Sequence, residues 1–67
     1  MRAKEENDQL FQNLMKLNSI FIWKGHQLEL TGESIHVTNE LAFKELKENT
    51  TSAFHKFIHL RIIASMY

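Results

Sequence analysis

SIFIWKGHQLELTGESIHVTN, residues Ser19 to Asn39, carries the pattern of a β-sheet. β-branched and aromatic side chains dominate it, its apolar residues fall into a period of two, and Gly25 and Gly32 punctuate it. That pattern predicts three short strands, Ser19 to Trp23, His26 to Thr31 and Ser34 to Thr38. The second turn is the better defined, because Gly32-Glu33 offers glycine at the first central position of a two-residue type II′ loop. This register pairs Leu30 with Ile35 and Leu28 with Val37, so four apolar side chains share one face while Glu29 and His36 meet on the other. The turn at Lys24-Gly25 leaves its register open: either Phe21 and Trp23 or Ile20 and Ile22 join the buried face. The first strand is apolar on both sides. A strand with one wet face alternates apolar and polar residues, so both of its faces are expected to be covered.

Outward from the sheet, Leu10, Leu14 and Leu17, with Phe11 and Met15 beside them, predict a helix over about 4–17, ended by Asn18-Ser19. After the last strand, Thr38 or Asn39 supplies an N-cap and Glu40 an acidic first turn. Phe43, Leu46, Ala53, Phe57, Leu60 and Ala64 then keep a 3-4 spacing through Thr50, which predicts one long C-terminal helix. The run Asn49-Thr50-Thr51-Ser52 is a poor helix former and marks the point at which that helix would break, with Thr51 or Ser52 capping a second one. The expected architecture is a single small α+β domain over 1–67, in which a three-stranded antiparallel sheet is flanked by an N-terminal helix and a long C-terminal helix, in the order α-β-β-β-α.

On such a helix a second apolar row, Phe54, Ile58, Ile62 and Met66, flanks the first. A 67-residue chain has little core with which to cover both. Apolar surface in excess of one core marks an interface. Ile20, Ile22, Phe54, Ile58 and Ile62 are therefore the candidate protein-contact residues. They are expected to join two copies into a homodimer, through a helix seam or the free face of the sheet, or to cover a larger host protein.

Composition excludes more than it assigns. Eight basic and eight acidic side chains balance to zero net charge and are spread along the chain, as in Glu40 and Lys44 at i,i+4 spacing. Phosphate binding usually brings a cluster of Lys and Arg, so nucleic acid is the second expectation, through Lys44, Lys47 and Lys56. The α-β-β-β-α order is similar to that of double-stranded-RNA-binding domains. Their lysine cluster at the start of the last helix is replaced here by Asn39-Glu40-Leu41-Ala42-Phe43. Asn7-Asp8-Gln9-Leu10-Phe11 distantly resembles the short peptide by which bacterial proteins dock on the sliding clamp; core duty for Leu10 and Phe11 in the first helix is the competing reading.

No catalytic constellation is evident: cysteine is absent, Asp8 is the only aspartate, and two glycines build no phosphate-cradling loop. His55 and His59, four apart on a helix, form the one arrangement with metal-ligand spacing, and HxxxH alone is a weak signature. We expect neither cofactor nor metal. The charged start Met1 to Glu6 lacks a signal-peptide apolar run, and the stretch 54–67 is too short and too charged to span a bilayer, so a soluble cytoplasmic protein is expected. Heavy use of Ile, Asn, Lys, Phe and Met with no proline suggests AT-rich coding, as in a low-GC bacterium or its phages and plasmids. The resulting expectation is a small non-enzymatic regulator or inhibitor of the phage or mobile-element type.

Overall fold

The computed structural model describes residues 3–61, and the elements run α1 (Ala3–Met15), β1 (Ile20–Trp23), β2 (His26–Leu30), β3 (Ile35–Val37), α2 (Glu40–Glu48), a 3-10 segment (Ser52–Phe57) and β4 (Ile58–Leu60). The fold is α+β. Its sheet is four-stranded and mixed, in the order β1-β2-β3-β4, with β4 parallel to β3 and the other pairs antiparallel.

Acidic Glu5 and Glu6 occupy the first turn of α1, where the helix dipole favours them. The helix buries Phe11 and Met15, four apart on one face. It ends where the Leu17 and Asn18 amides donate to the Leu14 and Met15 carbonyls and Asn18 enters the left-handed region at φ 50°. The next reversal puts both Lys24 and Gly25 at positive φ, 50° and 80°, as a type I′ hairpin requires. It pairs Trp23 with His26 and settles the open register: Phe21 and Trp23 face inward, and Ile20 and Ile22 face outward.

The β2–β3 register is the expected one, Leu30 opposite Ile35 and Glu29 opposite His36. Its turn is chemically different from the expected II′ loop. Gly25 is the only glycine at positive φ among the described residues. Around Gly32 the Thr31 hydroxyl instead accepts from the Glu33 and Ser34 amides, and the Thr31 amide donates to the Ser34 carbonyl at 2.9 Å.

Asn39 caps α2, its Oδ1 accepting from Leu41 N at 2.7 Å and from Ala42 N at 3.3 Å. The expectation of one long C-terminal helix is overturned, because α2 stops at Glu48. The buried Thr50 hydroxyl donates to the Leu46 carbonyl at 2.6 Å, the acceptor that the Thr50 amide of a continuing helix would need, and the Asn49 side chain adds a second bond to the Glu45 carbonyl already used by its own amide. Thr51 is then extended, and its amide and hydroxyl both donate to the Asp8 carboxylate on α1. Asn7 Nδ2 reaches the Asn49 carbonyl at 2.7 Å, so α1 is fastened to this junction at two adjacent residues.

Beyond the junction the chain forms the 3-10 segment and a fourth strand, paired Ile35 to Ile58, His36 to His59 and Val37 to Leu60. The order is thus α-β-β-β-α-β, and the similarity to double-stranded-RNA-binding domains ends with the parallel strand. The core lies on one face of the sheet, where Leu28, Leu30, Ile35, Val37 and Ile58 meet Phe11, Met15, Ala42, Leu46 and Phe54. Phe11 meets Trp23 edge-on, with ring centroids 5.7 Å apart, and stacks on Phe54 at 6.3 Å. Full burial of each large apolar side chain is worth about 1.5–3 kcal/mol, so these few contacts dominate the stability of so small a domain.

Candidate protein-interaction surface

Phe54 and Ile58, expected between chains, lie within one chain, 2% and 5% exposed and in contact with the core. The reason is the helix break: the 3-10 segment turns Phe54 under α1, and β4 directs Ile58 to the inner face beside Ile35. Ile62 lies outside the described residues, as does Met66.

Ile20 and Ile22 are 62% and 59% exposed. They belong to the outer face of the sheet, which all the helical elements avoid because the core faces the other way. The antiparallel and parallel registers place Ile20, Glu29, His36 and His59 in one row across all four strands, with Ile22 and Gln27 paired one step further along. On this face a two-isoleucine patch at the β1 edge grades into a polar strip toward β4. The expectation that both faces of β1 are covered does not hold among the described residues.

The outer row also brings together two histidines whose neighbourhood is not evident from the sequence. The His36 and His59 rings lie side by side, centroids 5.6 Å apart and tilted by 30°, and His36 Nδ1 is enclosed without a hydrogen-bond partner among the described residues. The pair depends on the parallel β3–β4 ladder, which local spacing does not encode. His55, expected beside His59 on a helix, instead belongs to the 3-10 segment and holds the Lys47 carbonyl through Nε2 at 2.7 Å. Among the described residues no three His, Asp or Glu side chains come together as metal ligands.

The remaining polar groups tie the inner layer together. His26 Nε2 meets Glu45 Oε1 at 2.5 Å, joining β2 to α2. A recess of about 270 Å³ between α1 and the 3-10 segment is lined by Asp8, Gln12, Thr51 and Phe57 among others. Its carboxylate is already engaged by Thr51. Of the expected phosphate contacts, Lys44 is exposed on α2, and Lys47 and Lys56 lie over the rings of Phe43 and Phe57 at 5.0 and 5.2 Å. In the stretch resembling a clamp-docking peptide, Phe11 is fully buried and Asn7 and Asp8 hold the α2 junction, whereas Leu10, expected beside Phe11 in the core, is 42% exposed. No helix of the described residues is long and apolar enough to cross a membrane.

Compared with known proteins, the chain matches no family model, no curated protein and no solved structure at a significant level. The surface must therefore be read from its own chemistry.

Proposed function

We propose that this chain is a non-enzymatic protein-binding module, a small cytoplasmic regulator or inhibitor of the phage or mobile-element type that covers a surface on a larger host protein. The observation that carries this reading is the exposure of Ile20 and Ile22 on a sheet face that no described element covers. Contiguous apolar side chains on an otherwise polar face tend to mark contact sites. Two supports are chemical. The carboxylate of the recess is spent on Thr51 instead of being free for acid–base work, and the lysines that could meet phosphate are dispersed over α2 and the 3-10 segment.

The immobilised chain should retain, from a lysate of the cell that makes or receives it, a protein that the Ile20→Glu/Ile22→Glu variant does not retain. Near-ultraviolet dichroism of Trp23 checks that the variant is folded. Equal retention by both would remove the outer face from the reading. Salt-dependent binding of a labelled duplex, lost on changing Lys44, Lys47 and Lys56 to Gln, would replace it with a nucleic-acid function.

A further inference from the structure

We propose that the open edge of β1 pairs with β1 of a second copy, antiparallel about a two-fold axis at Phe21, giving a continuous eight-stranded sheet; the pairing rests on the protein-binding reading and names one partner for that surface.

The phase of the β1–β2 ladder selects the geometry. Leu30 N donates to Ser19 O at 2.9 Å, so Ser19, and with it Phe21 and Trp23, turns its backbone groups toward β2. By the same alternation Ile20 and Ile22 turn their amides and carbonyls to the open edge. None of the turn, loop or cap hydrogen bonds among the described residues reaches them. The two residues with unspent backbone groups are therefore the two with exposed side chains.

A two-fold axis at Phe21 brings Ile20 opposite Ile22 of the second copy, and Ile22 opposite its Ile20. Both are then narrow, doubly hydrogen-bonded pairs, while Phe21 faces its own symmetry mate as the non-bonded pair between them. Four new backbone hydrogen bonds result, and the two isoleucine pairs form one patch of four on the outer face. Charge does not oppose the pairing. Lys24 falls opposite Asn18, the chain is neutral overall, and the strand carries no charge between Ser19 and Trp23. Natural edge strands that must remain unpaired usually carry a lysine, a proline or a bulge, and Ile20–Trp23 has none.

The test uses the full chain at about 10–200 µM, which lies above a micromolar dissociation constant. Sedimentation equilibrium should return the mass of two copies. Ile22→Pro should return one, because it deletes an amide that only the second copy uses; proline is tolerated at such an edge position. The chain has no cysteine, so a phase-specific cross-link is also available. Mixed Ile20→Cys and Ile22→Cys chains should oxidise to the mixed disulfide well above the statistical half, since directly opposed Cα atoms lie about 5.5 Å apart. This arm stands even if the proline variant fails to fold. A monomeric wild type, or a statistical mixture of disulfides, overturns the pairing. So does a dimer that forms only on deleting residues 62–67, which would assign the edge to that segment. A monomer that still retains a host protein through Ile20 and Ile22 sinks the pairing and leaves the binding module standing. A dimer that retains no host protein does the reverse.

Discussion

Asp8→Ala should be among the most damaging substitutions at a half-buried polar position, although nothing in its local sequence marks it. Its carboxylate accepts from the Thr51 amide at 3.1 Å and from the Thr51 hydroxyl, across 43 positions of chain. Hydrogen bonds to a charged acceptor contribute about 1.5–3 kcal/mol each when well sheltered. The site is only partly buried, so the lower end applies, and water re-solvates part of what is lost. The net cost is then about 2 kcal/mol. For a domain of this size 1 kcal/mol moves Tm by roughly 4–8 °C, so melting should fall by about 8–16 °C. Far-ultraviolet dichroism for helix and near-ultraviolet dichroism for Trp23 should lose signal together if the transition is two-state. Asp8→Asn keeps one acceptor oxygen and should lose about half as much. Thr51→Val removes the hydroxyl alone, and the double variant should cost less than the two single changes added, because they share a contact. A Tm for Asp8→Ala within about 2 °C of wild type, or strict additivity in the cycle, would refute the staple between α1 and the α2 terminus.

Phe54→Ala, at a site 2% exposed among Phe11 and Phe57, should cost about 3–5 kcal/mol and leave a chain this small largely unfolded at 25 °C, measured by urea titration. Phe54→Asp should abolish folding outright, where an intersubunit position would have released a folded monomer; ultracentrifugation with dichroism separates the two outcomes. Gly25→Ala places a Cβ at φ 80° and should lose about 1 kcal/mol through backbone strain alone, since no neighbouring atom lies within 4 Å of the new methyl. Thr50→Val should cost about 1 kcal/mol by removing the hydroxyl from the Leu46 carbonyl in a buried setting, read as a lower urea midpoint with unchanged slope.

How far the fold is legible in the sequence depends on how local its determinants are. The β2–β3 register comes from four alternating apolar residues and a short loop, and the α2 start from Asn39; both are decided within a few positions. The turn at Gly32 departs from expectation in type but not in consequence, because a threonine hydroxyl closes the same two-residue loop. The C-terminal half misleads because two periods coincide there. Ile58 and Leu60 alternate as a strand requires, yet with Phe54, Phe57 and Leu46 they also satisfy helical spacing. The choice between them is non-local: Asp8 on α1 receives Thr51, and the open edge of β3 receives a parallel strand.

That correction moves the apolar excess rather than abolishing it. With a long helix, Phe54 and Ile58 have no shelter within the chain. With β4 in place they complete the inner face, and the same core that could not cover two helical rows covers one sheet. Among the described residues, the strand that is apolar on both sides has no such remedy. A four-stranded sheet with all its helical elements on one face leaves Ile20 and Ile22 in water, unless the first hairpin takes the register that exposes Phe21 and Trp23 instead. Of those alternatives the observed one buries the larger, aromatic pair and leaves the smaller pair out, which is the cheaper arrangement for the isolated chain. Among the described residues, the exposure of Ile20 and Ile22 thus follows from a strand that is apolar on both sides, and a strand added at its edge would use their backbone groups while leaving their side chains on the outer face.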